Sequence, residues 1–184
     1  MRVIAGRFRS RKLQPLVGNE IRPTGDRLRE TLFNVLAGSM DGAVFIDLFA
    51  GTGAIGIEAI SRGARQVYFA ESEKKALRMI RANLQMLGID EGFEVLEREA
   101  APALRLLDAQ AVRADVCYLD PPYSHHGAYE QILGLLSQLQ LLAPKGIVIA
   151  EHEKFFDPGD RIGSLERYRK LKQGDAVLSF YHQV

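Results

Sequence analysis

The run CYLDPPYSHH, Cys117 to His126, closes an apolar stretch with Asp120, two prolines and Tyr123. Pro121 and Pro122 carry carbonyls but no N–H groups. With Asp120 ionised, the turn is rich in hydrogen-bond acceptors and poor in donors. Such a surface selects a donor, and an amino group with two hydrogens fits it. Tyr123 adds a flat face on which a base can stack. The exocyclic amine of a base is a weak nucleophile, because its lone pair is delocalised into the ring. Two acceptors off the ring plane, the Asp120 carboxylate and the Pro121 carbonyl, would draw its hydrogens toward tetrahedral geometry and free the lone pair. Positioning and the field of the acceptors then carry the catalysis. Asp120 either takes the proton or only holds it; an unshifted Asp is a weak base for this task, which favours positioning. Guanine, adenine and cytosine all carry such an amine, and these residues alone do not choose among them.

The second candidate lies upstream. In DLFAGTGAIGIEA, Gly51, Gly53 and Gly56 satisfy G-x-G-x-x-G between a strand-like run and a helix-like one. Glycines allow a tight turn and close approach to a ligand. Glu71 follows 20 residues after Gly51, where an acid can accept hydrogen bonds from ribose hydroxyls. These features imply a nucleoside-cofactor site. Asp47, four residues ahead of Gly51, bears on which cofactor. A carboxylate there would repel a pyrophosphate and disfavours a nicotinamide dinucleotide. It suits S-adenosylmethionine, which has an ammonium, a sulfonium and no phosphate. Asp47 either meets that ammonium or caps the glycine turn.

Regular elements must hold these residues. AVFIDLF, QVYFAE, FEVLE, ADVCYLD and GIVIAEH read as buried strands, each separated from the next by a helical segment. The best defined helix, SEKKALRMIRANLQMLGI, puts Ala76, Leu77, Ile80, Leu84 and Leu87 on one side. Alternation of this kind predicts an α/β domain with a parallel sheet covered on both faces. LERYRKLKQGDAVLSFYHQV adds two strands around QGD, so the sheet ends in an antiparallel hairpin. The total is seven strands. In such a sheet the fourth strand lies beside the first, which brings Asp120 and the glycine turn to one crevice.

The chain has 184 residues and a net charge of +1, unevenly spread. From Met1 to Ala37 there are eight Lys or Arg against three acids, and in the remainder sixteen against twenty. A basic arm on an acidic body points to a polyanionic partner met by Arg7, Arg9, Arg11 and Lys12. The expected division is a basic arm and helix over residues 1–38 and a catalytic body over 39–184. One cysteine, Cys117, excludes an internal disulfide. With no leader-like or membrane-length apolar run, a reducing cytoplasm is the simplest setting. No spaced Cys/His set suggests a metal, and Cys117 reads as a buried strand residue.

Together, RVIAGRFRSRKL, RPTGDRLRETLFNVL, DLFAGTGAIGIEAISRGA and LDPPY resemble, in order and spacing, the bacterial 16S ribosomal RNA guanine-966 N2-methyltransferase family. The resemblance spans nearly the whole chain and is most specific in its first two blocks; DPPY alone is shared with DNA adenine and cytosine methyltransferases. It implies a Rossmann-like class I methyltransferase fold with a small N-terminal extension. It implies S-adenosylmethionine as cofactor, no metal, and small-subunit ribosomal RNA or an assembling small subunit as partner of a monomeric enzyme. By position, Asp47, Phe49, Gly51 and Gly53 would flank the cofactor and Glu71 its ribose. Asp120, Pro121, Pro122 and Tyr123 would hold the guanine, and Thr24, Arg27 and Arg29 would lie over cofactor or target. The family has Asp near the adenine, where this chain has Glu99. After the aromatic residue the family is basic, where this chain has His125 and His126; their protonation would strengthen phosphate binding. The alternatives are a DNA amino-methyltransferase, for which a chain this short leaves little room for a base-reading domain, an idle RNA-binding assembly factor, and a nicotinamide oxidoreductase.

Overall fold

The computed structural model describes residues 1–15, 25–122 and 125–184. Five parallel strands form its centre: β1 (Val44–Leu48), β2 (Gln66–Glu71), β3 (Phe93–Glu97), β4 (Ala114–Leu119) and β5 (Leu142–Glu153). Three antiparallel strands extend it: β6 (Arg161–Ile162), β7 (Leu165–Gln173) and β8 (Ala176–Gln183). The sheet order is β3-β2-β1-β4-β5-β8-β7-β6. Among the described residues the expected seven strands are therefore eight. The extra one, β6, has two residues, too few for any hydrophobic period to reveal it. Pairing of β7 with β8 follows the expected hairpin, whose two-residue turn begins at Gly174 with φ +63°.

Burial on both faces explains the continuous apolar strands: all five residues of β1 are buried. On one face, α1 (Asp26–Val35), α2 (Ala54–Ser61) and α3 (Lys74–Leu87) cover Phe45, Phe69, Val116 and Ile149. On the other, α4 (Ala100–Ala109) and α5 (His126–Leu136) cover Ile46, Cys117, Leu119 and Val148. The stripe expected on α3 is buried, and Asn83 is buried with it. Burial raises the thiol pKa of Cys117 well above its usual value, as fits a packed strand residue.

Residues 1–15 fold back on themselves, with an antiparallel bridge between Arg2 and Lys12. Val3 and Leu13 are buried in the same apolar cluster as α1 and α2. The fully buried Glu58 of α2 accepts the amides of Ile4 at 2.7 Å and Ala5 at 2.9 Å, and pairs with Arg62 at 2.8 Å. Ser61 donates to Ala5 O at 2.6 Å and accepts from Phe8 N at 3.0 Å. Asn83 accepts from Gln14 N at 2.8 Å and donates to Thr52 O at 3.0 Å, which ties the arm to the glycine turn. Among the described residues, no helix is long and apolar enough to cross a membrane.

Candidate active site

Strand order reverses between β1 and β4, and a cleft of about 1480 Å³ opens at their carboxyl ends. Among the acids that line it, four come from the carboxyl-end region of four adjacent strands: Asp47 (β1), Glu71 (β2), Asp120 (after β4) and Glu151 (in β5).

The glycine turn is held by two of them. Helix α2 begins after Gly53, which has no side chain to cap it. Asp47 supplies the cap from the strand below, accepting from Gly56 N at 2.9 Å. Burial raises the Asp47 pKa well above its usual value; the Gly56 amide opposes this and the charge of Glu71 adds to it. Glu71 accepts from Gly51 N at 2.9 Å, and from Ser72 N and Glu73 N at 2.8 Å each. Phe49 is held at φ +62° just before the glycines, a conformation costly for a bulky residue, at about 1–3 kcal/mol. Gly53 stands at φ +75°, and a Cβ on Gly56 would lie 2.2 Å from the Phe69 ring. The third glycine thus permits helix–sheet packing, while the turn itself faces the cleft.

The other half of the cleft is built on β4 and β5. Pairing of Leu119 with Ala150 sets Asp120 level with Glu151 one residue on. The buried Tyr118 donates its hydroxyl to Glu151 Oε2, and Tyr129 donates to Glu151 O at 2.8 Å. Burial, then the charges of Glu151, Asp120 and Asp47, push the Tyr118 phenol pKa well above its usual value. Pro122 O accepts from His125 N at 2.8 Å and so uses its carbonyl to start α5. His126 Nε2 lies 2.9 Å from Glu153 Oε1, and its ring stacks on Phe156 at 4.2 Å.

Of the residues singled out in the sequence, Asp47, Phe49, Gly51, Glu71, Glu99, Arg27, Asp120, Pro121, Pro122, His125 and His126 line this one cleft. Gly53 lies behind it, against Ile80. Arg29 does not line it: the side chain is fully buried and donates to Arg2 O and Asp26 Oδ1, both at 2.7 Å, pinning the arm to α1. Its position mid-helix hid this, because the contact partner is 27 residues away. Arg7, Arg9, Arg11 and Lys12 are exposed on the arm. Thr24 and Tyr123 lie outside the described residues. Sequence reading passed over Tyr118, Glu151 and the β7–β8 turn, Gln173 to Ala176, all of which line the cleft. Glu151 carried a signal, an acid ending an apolar run, identical to that of Glu71. Among the described residues, no group of three His, Cys, Asp or Glu side chains could hold a metal ion.

The cleft fits S-adenosylmethionine. Its volume exceeds the range of about 300–1,000 Å³ usual for one small ligand, which leaves room for a base beside a cofactor. The first-turn amide of α2 that would meet a pyrophosphate is already taken by Asp47, so a dinucleotide does not fit equally well.

Comparison with known proteins agrees with this geometry. The family model described as Conserved hypothetical protein 95 matches residues 1–182. Ribosomal RNA small subunit methyltransferase D of Haemophilus influenzae is 39% identical over 155 residues, covering 84% of this chain and 79% of that protein. The solved structure of yhhF from Escherichia coli superposes with a TM-score of 0.85 at 30% identity, over 100% of this chain and 97% of that one. SMU.776, solved in complex with SAH, superposes with a TM-score of 0.71 over 90% of this chain and 50% of its own, at 16% identity, a likeness of fold. A match over 182 of 184 residues, with these relatives, places the chain in the bacterial 16S ribosomal RNA guanine-966 N2-methyltransferase family.

Proposed function

We propose that this protein transfers a methyl group from S-adenosylmethionine to the exocyclic N2 amine of a guanine in small-subunit ribosomal RNA, guanine 966 by family. The observation that carries the reading is the acceptor-rich turn at Asp120 opening into the same cleft as the acid-capped glycine turn. The name of the Haemophilus influenzae relative supports ribosomal RNA as substrate, and the SAH complex of SMU.776 supports the cofactor.

S-adenosylmethionine, when bound, supplies an electrophilic methyl group on a sulfonium. Asp47 would hold its ammonium, Glu71 its ribose, and Glu99 its adenine edge, with Phe49, Gly51 and Gly53 along its flank. Arg27 lines the same cleft. Asp120 and the Pro121 carbonyl would take the two hydrogens of the amine and turn its lone pair out of the ring plane. Asp120 would keep the amine positioned by its hydrogen bond, the proton shed after methyl transfer would pass to Asp120 or to water, and Tyr123 would be the stacking face for the base. Residues 1–38 would supply RNA contacts and part of the cofactor lid, and residues 39–184 the methyl-transfer body of a monomeric cytoplasmic enzyme.

The test is tritiated methyl transfer to small-subunit RNA, and to small-subunit particles, from cells lacking the enzyme, followed by nucleoside analysis. Label is expected in N2-methylguanosine. Label recovered only in N6-methyladenosine or N4-methylcytidine would overturn the guanine assignment. Asp120→Asn should lower the rate by about 10²–10³-fold, as loss of one transition-state hydrogen-bonding group does elsewhere, with cofactor affinity little changed.

A further inference from the structure

We propose that Glu151 is the residue that selects guanine, by accepting the N1–H of the target base while Asp120 takes the neighbouring amine. The inference rests on the guanine-N2 reading above and adds to it a physical reason for the choice of base.

Placement comes first. Glu151 lies in β5 level with Asp120, which follows β4, and the two strands are adjacent and parallel. Side chains alternate along a strand, so residues two apart share a face. Tyr118 and Ile149 belong to the same apolar cluster, and Asp120 and Glu151 are each two residues beyond them. Continuing that alternation one residue past the end of β4 puts both carboxylates on one side of the sheet, on strands spaced about 4.8 Å apart. Both line the cleft. Besides burial, the charges of Glu151 and Asp120 both push the Tyr118 phenol pKa up.

Chemistry comes next. The Watson–Crick edge of guanine presents two adjacent donors, N1–H and the N2 amine. Adenine presents its amine beside a bare N1, and cytosine its amine beside a bare N3. A second carboxylate next to Asp120 thus meets a donor on guanine and a lone pair on the other two. Glu151 is only 3% exposed, so it meets that lone pair with little water to screen the repulsion. A site built to hydrogen-bond a substrate N–H rejects analogues that lack it far more strongly than an apolar pocket could. The bond from Tyr118 does not bar this, because a carboxylate has about four acceptor positions. That bond instead fixes the carboxylate's orientation. Gln173 of β7, which also lines the cleft, has a buried Oε1 without a hydrogen-bond partner among the described residues. Such an atom marks a place where a polar ligand group is received.

The test uses small-subunit RNA, assembled with ribosomal proteins, bearing either guanine or 2-aminopurine at the target position. 2-Aminopurine keeps the amine but has a bare N1. The wild-type enzyme should favour guanine by at least about tenfold in kcat/KM, the scale of one hydrogen bond to a charged group. Glu151→Gln can donate its amide to a bare N1, so its preference should shrink to within threefold. Glu151→Asp keeps an acceptor and should retain the preference at a lower rate. Calorimetry with S-adenosylmethionine and a thermal melt establish that each variant is folded and binds cofactor. Equal use of the two bases by the wild type would overturn the role of Glu151 without any variant. So would an unchanged ratio in a folded Glu151→Gln enzyme. Methylation of adenine or cytosine with none on either 2-amino base would instead overturn the guanine-N2 reading itself.

Discussion

Asp47 combines a cap and a charge in one buried side chain. Its carboxylate holds the Gly56 amide, while burial and Glu71 keep its proton affinity high. The folded protein therefore retains a proton on Asp47 to higher pH than the unfolded chain does, and deprotonation costs stability as pH rises above the unfolded value. A cationic ligand reverses that cost, because it favours the ionised form. Cofactor affinity should therefore weaken as pH falls from 7 to 5. Asp47→Asn keeps an oxygen for the Gly56 amide but loses the charge. It should melt close to wild type, bind S-adenosylmethionine at least about tenfold more weakly at pH 7, and show a flat pH dependence over that range. Calorimetry across the range checks this, and matching pH profiles in the two proteins would remove Asp47 from the cofactor site. At this scale most of the cleft is legible in the sequence. VFID, VYFAE and CYLD each end an apolar run with an acid, and all three acids line the cleft. IVIAE ends the same way, yet Glu151 gains meaning only once the register sets β5 against β4. Burial of Arg29 was illegible for the related reason that its partner, Arg2 O, is distant in sequence.

Helix α2 is buried at every position, including Glu58 and Ser61. A charge inside a wholly buried helix implies a partner from elsewhere, and the partner is the arm. Glu58 satisfies the amides of Ile4 and Ala5, and Ser61 O accepts from Arg7 N at 2.8 Å. Gly6 fits only because it lacks a Cβ, which would come 1.8 Å from Ser61 O. Charge identifies the arm in the sequence. It could not reveal that the arm and α2 complete one core, since a local charge pattern says nothing about which helix the segment meets. Glu58→Ala would leave two amides and Arg62 without their acceptor. A drop in stability of about 2–4 kcal/mol is expected, from roughly 1–3 kcal/mol per orphaned group with partial rescue by water. Denaturant unfolding measures it. Trypsin should also cut faster after Arg7, Arg9 and Arg11 in the variant than in wild type, and equal cutting rates would mean that Glu58 does not hold the arm.

Charge and shape together set the footprint of the whole molecule on RNA. The acidic cleft suits a cationic cofactor and repels phosphate, so sequence-independent affinity must come from outside it. The exposed Arg7, Arg9, Arg11 and Lys12 offer it. The arm runs from Met1, which lines the cleft, to Arg7, bonded to Ser61 at the far end of α2. Eight helical residues separate those ends, a span of about 12 Å. RNA that fills the target pocket and also touches the arm's tip must therefore cross a helix length of protein surface. An isolated nucleotide cannot do this, whereas a folded RNA segment can. Replacing Arg7, Arg9, Arg11 and Lys12 with Gln should lower the slope of log affinity against log salt by about 3, at roughly 0.7–0.9 for each phosphate no longer neutralised. Affinity for S-adenosylmethionine should stay within twofold, because none of the four lines the cleft. Filter binding of small-subunit RNA at several salt concentrations reads the slope, and calorimetry reads the cofactor. An unchanged slope would mean that the RNA phosphates are neutralised elsewhere, and that the positive charge of the arm serves its docking on the body rather than the RNA.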